Sequence, residues 1–295
     1  MRRKLIRAGR AALLEFPGLM RLLRIKDDGK IIHVDYGYWP RERNSDHSVA
    51  HRQLIALLNS RRTDYMETLR KIAAFAPELR KVAATRPAND ELPFWHNTWL
   101  PVLDGITLYG LLVLNNPRQY VEIGSGNSTK FARQAIRDHS LRTRIISIDP
   151  APRTEISRIC DENFRSRCED MPTKFFEELI ADDILFFDGS HRSFQNSDVT
   201  VFFTEILPAL PRGMLLGLHD IFLPADYPER WTKRFYNEQY LLAAYLFGGI
   251  GGGEIVLPCA FIEQNRELLG PIADLLDDLK TPGFDQHGAA FWLRK

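Results

Sequence analysis

The sequence predicts an α/β protein built on a doubly wound, Rossmann-like sheet of about seven mostly parallel strands with helices on both faces. Two observations support this fold class. From about residue 87 onward, short apolar runs alternate with segments of helical periodicity, and polar residues directly follow several of the runs. The candidate strands are QYVEI, RIISID, DILFFD, MLLGLH, EIVLP and AAFWLR. Because such sheets bind ligands outside the carboxyl ends of their strands, polar residues at those ends are the candidate functional residues.

The domain organisation follows from where this alternation starts. The chain has 295 residues, 44% of them hydrophobic, which is enough for one large domain with an extension. We expect residues 1–86 to form a mainly helical N-terminal extension and residues 87–295 to form the Rossmann-like domain. Helical spacing of apolar residues between positions 46 and 84 predicts one or two amphipathic helices, and TRPANDELPFWHNTW predicts a linker over the domain edge.

The N-terminal stretch MRRKLIRAGRAALLEFPGLMRLLRI is basic and then partly apolar. Two interpretations stay open: a surface helix followed by the hairpin-like KDDGKIIHVDYGYW, or a basic amphipathic helix that touches a membrane or a partner. Arg10, Glu15 and Pro17 interrupt the apolar run, so the stretch is a poor secretion signal. No uninterrupted apolar run in the sequence is long enough to span a bilayer.

Charge and cysteine content narrow the partners and the compartment. The net charge of +1 gives no general attraction to nucleic acid. Cys160, Cys168 and Cys259 have spacings unlike those of a zinc site or a disulfide framework. We therefore expect reduced thiols in a cytoplasmic protein that does not act on nucleic acid, and a homo-oligomer is compatible with the sequence.

The stretch VEIGSGNSTKFA carries the most informative pattern, because a strand runs into a glycine-rich turn and then into a helix. Gly124 and Gly126 let the backbone turn sharply and approach a ligand closely. Ser128 and Thr129 are placed to cap the helix that follows. The turn alone is weak evidence for a ligand, because a tight strand-to-helix connection without a ligand has the same pattern.

Three ligands compete for this turn. A phosphate-binding P-loop needs four residues between its glycines and a following Gly-Lys-Ser/Thr, and the sequence lacks both. A dinucleotide fingerprint needs glycine or alanine where Thr129 stands, which demotes hydride chemistry without excluding it. S-adenosylmethionine remains, since Glu122 can receive its cationic amino acid portion. Asp149, at the end of ISIDP, can accept both ribose hydroxyl hydrogens.

Residues 120–222 resemble the core of a class I S-adenosylmethionine-dependent methyltransferase. VEIGSGNST resembles the first motif of that family and ISIDP resembles the second. The segments DDILFFDGSHRSF and PRGMLLGLHDIFLPADYPERW resemble the bacterial branch that contains small-molecule and sugar O-methyltransferases. The resemblance implies transfer of a methyl group from S-adenosylmethionine to a hydroxyl of a small molecule or a sugar. The resemblance does not extend to the residues before position 87.

The resemblance also implies which residues hold the cofactor. Asp149 would meet the ribose, and either Glu169 or Asp170, with Asp170 preferred, would meet the adenine amino group. The methionine portion would be surrounded by residues of the first motif, namely Glu122, Gly124, Ser125, Gly126 and Ser128.

The segment DGSH points to catalysis. Asp188 ends an apolar strand and His191 follows three residues later, so both side chains should stand at the rim of the sheet. Methyl transfer to a hydroxyl needs in-line approach and, for an alcohol of high pKa, a base that takes the proton. We expect His191 to be that base, with Asp188 beside it. The structural alternative is that His191 bonds a turn carbonyl.

Asp188, His219 and Asp220 stand at the ends of neighbouring predicted strands, where they could hold a divalent ion. In metal-dependent relatives, two adjacent carboxylate or amide residues occupy the second strand end, and this sequence departs from that pattern at His219. An imidazole ligand shifts preference from magnesium toward manganese, iron or zinc. Alternatively, His219 and Asp220 form a buried hydrogen-bonded pair that shapes the site without metal.

Two further interpretations belong to other functional classes. Asp188, His191 and His219 contain the two imidazoles and one carboxylate of a non-heme iron oxygenase or a metal-dependent hydrolase. A non-catalytic module that senses S-adenosylmethionine would need only the glycine turn and Asp149.

On the acceptor side, four aromatic residues are candidate pocket walls: Tyr227, Trp231, Phe235 and Tyr236. We expect GGIGGG to be a mobile cover or a long turn, and HGAAFWLRK to be a closing strand.

Overall fold

A computed structural model describes residues 36–41, 52–152, 154–249, 253–279 and 288–295. The chain divides into two compact units, residues 1–40 and residues 41–295. In the first unit only residues 36–40 are described, and Tyr36, Tyr38 and Trp39 are exposed there. The predicted surface helix or membrane-contacting helix, most of the hairpin-like segment and the centre of GGIGGG lie outside the described residues.

The second unit is organised around a sheet of seven strands, which confirms the predicted fold class. The sheet order is β3-β2-β1-β4-β5-β7-β6. All neighbouring strands are parallel except β7, which runs antiparallel to both β5 and β6. The strands are β1 (Gln119–Ile123), β2 (Arg144–Ile148), β3 (Glu162–Phe164), β4 (Ile184–Phe187), β5 (Leu215–Leu218), β6 (Glu254–Pro258) and β7 (Phe291–Arg294).

Six of these strands coincide with the candidate apolar runs of the sequence, and the last of the six, β7, is the closing strand predicted from HGAAFWLRK. The strand β3 was not among the candidates. Its three residues, ENF, are partly exposed at the sheet edge, so they carry no apolar run that a sequence pattern could detect.

The strand order reverses at β1, which pairs with β2 on one side and with β4 on the other. The loops that leave the carboxyl ends of β1, β2, β4 and β5 therefore meet at one edge of the sheet. Gly124, Asp149, Asp188 and His219 are the residues that directly follow these four strands. The topology thus brings the predicted strand-end residues to one place.

Eleven helices of the described residues cover this sheet or extend from it. They are α1 (Arg52–Asn59), α2 (Arg62–Ala73), α3 (Ala76–Leu79), α4 (Val102–Asn115), α5 (Asn127–His139), α6 (Thr173–Glu177), α7 (Asp198–Val201), α8 (Leu207–Ala209), α9 (Glu238–Phe247), α10 (Cys259–Gln264) and α11 (Ala273–Asp278). Wider or tighter turns occupy Cys168–Asp170, Phe202–Ile206, Glu229–Arg234 and Arg266–Ile272.

The predicted helix SDVTVFFTEILPAL is interrupted, because the π-helical turn Phe202–Ile206 separates α7 from α8. Pro208 stands in the first turn of α8. A proline has no N–H and its ring collides with the carbonyl four residues earlier, so a regular α-helix cannot continue through this position.

The helices α1 to α3 contribute side chains to the same apolar core as the sheet, among them Leu54, Leu58, Tyr65, Leu69 and Ile72. Arg62 and Arg80 also donate hydrogen bonds to Asn265 and Asp278 near the C-terminus. The domain boundary near residue 87 stays a prediction.

Within the described residues, no helix combines the length and the apolar character that crossing a membrane requires. The cytoplasmic location stays a prediction from the sequence.

Candidate functional site

The glycine turn after β1 depends on close contact with the loop after β4. Gly124 has a φ of +80°, a backbone conformation that favours glycine, and a Cβ atom there would overlap the carbonyl oxygen of Asp188. Gly126 has a different surrounding, because an added Cβ would meet no protein atom within 4 Å. The first glycine is therefore required by packing, whereas the space in front of the second is open to a ligand.

Glu122 lies behind this turn and is fully buried. Its Oε1 accepts a hydrogen bond of 2.8 Å from the Tyr120 hydroxyl, and its Oε2 accepts one from the Thr129 hydroxyl. Thr129 Oγ1 in turn accepts the Gly126 N–H at 2.9 Å, which fixes the start of α5. Burial raises the pKa of Glu122 to about 7, although hydrogen bonds from Ser128, Thr129 and Tyr120 oppose the increase. Glu122 thus supports the turn from behind.

A cavity of about 680 Å³ opens in front of the turn. This volume lies within the usual range for small-molecule and cofactor sites. Glu122 and Asp170 are the two predicted cofactor residues that do not line it. The predicted site residues along its wall are Gly124, Ser125, Gly126, Ser128, Asp149 and Asp188.

Asp149, directly after β2, presents a fixed carboxylate to this cavity. Its Oδ2 accepts the Ser125 N–H at 2.8 Å, and its Oδ1 accepts the Ala151 N–H at 2.7 Å. A carboxylate offers about four lone-pair positions, so two oxygens that each accept one bond can still accept more. The geometry is suited to binding a pair of hydroxyl groups.

The segment Arg167, Cys168 and Glu169 also lines the cavity. Asp170 is not part of this wall: its side chain is 62% exposed and lies 3.9 Å from the Arg167 guanidinium. Of the two acids considered for adenine, Glu169 is therefore the one at the cavity.

Cys160, Cys168 and Cys259 are all free thiols, as the sequence predicts.

A further wall was not predicted from the sequence. The segment before α4, which we expected to be a linker, lines the cavity from residue 96 to residue 100. Asn97 organises it, since its Oδ1 accepts the Leu100 N–H at 2.7 Å and the Asn127 side-chain amide at 3.3 Å. Lys130 also lines the cavity. The polar and aromatic composition of WHNTW is the signal that could have indicated a binding wall.

A second group of side chains adjoins the cavity at Asp188. Asp188 Oδ1 lies 3.3 Å from His191 Nε2 and 3.4 Å from His219 Nδ1. Asp220 Oδ2 lies 3.3 Å from the same His191 nitrogen. The structure therefore brings together all four residues that the sequence placed at the ends of β4 and β5.

Each histidine also contacts a buried carboxylate that sequence reasoning missed. His191 Nδ1 lies 2.8 Å from Glu238 Oε2, and His219 Nε2 lies 3.2 Å from Asp104 Oδ2. Asp104 additionally accepts the N–H groups of Ala289 and Ala290. Both acids lie on helices, α9 and α4, at 47 and 115 residues from their histidines, where no strand-end pattern could indicate them.

These contacts change the expected state of His191. Burial lowers its pKa, but hydrogen bonding to Asp188 and the charges of Asp220 and Glu238 outweigh burial and raise the pKa well above the ordinary value. Burial raises the pKa of Asp188, but the charge of His219 and the hydrogen bond from His191 hold it well below the usual range. The carboxylates around His191 thus favour its protonated form.

The aromatic residues after β5 form a small cluster beside this group. Phe222, Tyr227, Trp231 and Tyr236 pack on one another, and the Tyr236 ring centroid lies 4.7 Å from that of His191. The Arg234 guanidinium lies 4.1 Å from the Trp231 ring centroid. Phe235, the fourth predicted wall residue, is not a member of this cluster.

Comparison with known proteins adds the family of the central segment. A family model described as a methyltransferase domain matches residues 121–221, about a third of the chain. This segment contains the glycine turn, Asp149, Asp188 and His219. The match confirms that this segment is a methyltransferase domain, and the bacterial small-molecule branch stays a prediction. No curated protein sequence matches the chain.

Several solved structures match this chain with low sequence identity and TM-scores below 0.5. The Podospora anserina methyltransferase PaMTH1, bound to SAH, is 12% identical, with 83% of this chain and 97% of that chain covered and a TM-score of 0.40. An O-methyltransferase from Bacillus cereus, in complex with SAH, is 18% identical, with 60% and 79% covered and a TM-score of 0.34. An O-methyltransferase family 2 protein from Planctomyces limnophilus, in complex with apigenin, is 15% identical, with 83% and 66% covered and a TM-score of 0.29.

The buried carboxyl group of Glu122 predicts a specific pH dependence of stability. Its pKa is about 7 in the folded protein, against an ordinary value of about 4.3 in an unfolded chain. The folded state therefore keeps the extra proton between these values, and this contribution to the unfolding free energy decreases as the pH rises through that window. Between pH 4.5 and pH 8 the wild-type protein should therefore lose about 3 kcal/mol of unfolding free energy that Glu122→Gln, which cannot titrate at this position, does not lose.

Chemical denaturation at several pH values measures this difference. Glu177→Gln is the matched control, because Glu177 is exposed to solvent and the substitution should leave the pH profile of stability unchanged. Parallel pH profiles for Glu122→Gln and wild type would contradict the buried, proton-retaining state of Glu122.

Proposed function

We propose that this methyltransferase transfers the methyl group of S-adenosylmethionine to a hydroxyl of a small molecule or a sugar. The observation that carries the proposal is the position of Asp188. Asp188 lines the cavity, which is large enough for the cofactor, and the Asp188 carboxylate contacts both His191 and His219. A methyl donor in the cavity would therefore directly face the cluster of Asp188, His191, His219 and Asp220, the acid-imidazole group.

The cavity fits S-adenosylmethionine in size and in the chemistry of its wall. We propose that the Asp149 carboxylate accepts the ribose hydroxyls, that Glu169 lies nearest the adenine, and that Ser125, Gly126 and Ser128 surround the methionine portion. The cofactor supplies a sulfonium methyl group when it is bound. Glu122 acts on this site only through the turn that it supports.

The hydroxyl acceptor is proposed from the acid-imidazole group. Transfer to an alcohol requires that its oxygen be held in line with the methyl group and that its proton be removed or weakened. The side chains of Asp188 and Asp220 are 20% and 17% exposed, so a hydroxyl can reach both carboxylates. The resemblance of DDILFFDGSHRSF to small-molecule O-methyltransferases supports the same class of acceptor.

We propose that the same group holds a divalent cation. Three possible ligand atoms, one each from Asp188, His191 and Asp220, lie within 4.8 Å of one another. This spacing allows all three to bind the same ion. In this set His191 takes the place that the sequence prediction gave to His219. A bound cation would act as a Lewis acid that lowers the pKa of the acceptor hydroxyl, and the imidazole favours manganese, iron or zinc over magnesium.

The charge balance of the site also suits a cation. Four carboxylates surround the two imidazoles, contributed by Asp104, Asp188, Asp220 and Glu238. Even with both imidazoles protonated, the group keeps an excess of negative charge. Buried charges of one sign are costly unless they are paired, and a divalent ion between Asp188 and Asp220 would provide that pairing.

The first prediction concerns cofactor binding. Asp149→Ala should weaken S-adenosylmethionine binding at least ~10-fold, because it removes the acceptor for the ribose hydroxyls, which corresponds to ~1.4 kcal/mol. Isothermal titration calorimetry measures both affinities. Asp182→Ala is the matched control, since Asp182 accepts the Arg118 N–H near the amino ends of β1 and β4, away from the cavity, and the substitution should leave affinity unchanged. Absence of S-adenosylmethionine binding to the wild-type protein would refute the proposed function.

The second prediction concerns the cation. Purified protein treated with a chelator should bind one Mn²⁺ ion, and Asp220→Asn should reduce that affinity at least ~10-fold by removing a charged ligand. Electron paramagnetic resonance measures the concentration of unbound Mn²⁺ during a titration, so the affinity can be determined without the methyl acceptor. S-adenosylmethionine affinity should be nearly equal in the two proteins, because Asp149 and the glycine turn are untouched. Equal Mn²⁺ affinity of Asp220→Asn and wild type would contradict the proposed ion site.

A further inference from the structure

Glu238 is the first residue of α9 and is fully buried on the side of His191 that faces away from Asp188 and Asp220. One carboxylate oxygen, Oε2, lies 2.8 Å from His191 Nδ1. The other oxygen, Oε1, is buried and has no hydrogen-bond partner within the described part of the chain. Burying a carboxylate with half of its hydrogen-bonding capacity unused costs stability. A structural requirement alone therefore does not explain this residue.

The backbone at the start of α9 holds the same histidine. The N–H groups of Asn237 and Glu238 point at the His191 carbonyl oxygen, at 2.9 Å and 3.4 Å. His191 itself has a φ of 61°, the left-handed conformation that a non-glycine residue adopts only when its surroundings impose it. Ring and main chain of His191 are thus both fixed by one helix terminus.

The histidine that lies beside His191 provides a comparison. Asp104 contacts His219 in a similar way, but it also accepts the N–H groups of Ala289 and Ala290. Asp104 therefore serves the folding of the chain around β7 as well as His219. Within the described residues, the Glu238 side chain has no such additional partner, because its hydrogen bond and ion pair are both to His191.

From these contacts we propose that Glu238 is a positioning residue for the transfer reaction. Its carboxylate accepts the Nδ1–H of His191 and so keeps the ring turned with Nε2 between Asp188 and Asp220. A carboxylate behind an imidazole fixes the ring orientation and the nitrogen that carries the proton, and it strengthens the other nitrogen as a ligand or a base. The proposal rests on the proposed function, since it assigns Glu238 to the group that receives the acceptor.

The first test observes the histidine ring directly and needs neither cation nor acceptor. In ¹⁵N-labelled wild-type protein, His191 should give an Nδ1–H proton signal in slow exchange with water, assigned by its absence in His191→Ala. The signal should disappear in Glu238→Ala and shift in Glu238→Gln, whose amide oxygen still accepts the bond without charge. The signal should stay in Asp183→Asn, a matched change of a fully buried carboxylate that bonds Arg118 near the amino ends of β1 and β4.

The second test measures coupling between Glu238 and His191. Glu238→Gln should lower Mn²⁺ affinity about 10- to 100-fold, and it should have little further effect in a His191→Ala background. A residue that merely stabilises the fold would weaken binding equally in both backgrounds. S-adenosylmethionine affinity should be unchanged in Glu238→Gln, which also shows that the variant is folded.

The outcomes separate the two proposals. An Nδ1–H signal that persists in Glu238→Ala, or is absent from wild type, would overturn the role of Glu238. Additive losses in the double variant would overturn it as well. Failure of wild type to bind Mn²⁺ would contradict the cation, while loss of the ring signal in Glu238→Ala would still support the positioning of His191.

Discussion

The contact between Gly124 and the Asp188 carbonyl oxygen is the constraint on which the rest of the site depends. A side chain at position 124 would push the loop after β4 away from the turn after β1. With glycine there, the two loops touch, and Asp188 stands at the boundary between the cavity and the histidine group. Under the proposed function, this glycine keeps the two loops close enough for a methyl donor in the cavity to reach Asp188 and the histidines.

The group beyond that boundary is assembled from both layers of the fold. Strand ends supply Asp188 and Asp220, whereas helices supply Glu238 behind one histidine and Asp104 behind the other. Glu238 and Asp104 each bond one histidine ring, whereas Asp188 and Asp220 stay partly accessible to solvent. Rigid elements are thus combined with a partly exposed pair of carboxylates, and a reacting group could be held there without reorganising the protein.

Much of this arrangement could be predicted from the sequence because its signals are local. Strand-end residues such as Asp149 and Asp188 follow apolar runs that a pattern detects, and the parallel topology then brings them together. Glu238 could not be predicted in this way, since it reaches His191 only through the packing of α9. The choice between Glu169 and Asp170 also required the structure, because one turn of helix decides which acid faces the cavity.

The central claim is that the cavity holds the methyl donor with its reacting end toward Asp188. A crystal structure of the protein with S-adenosylhomocysteine tests this most directly. The account predicts ribose hydroxyls within hydrogen-bond distance of the Asp149 carboxylate and the sulfur atom on the Asp188 side, facing His191. A ligand bound outside this cavity, or one whose sulfur points away from Asp188, would contradict it.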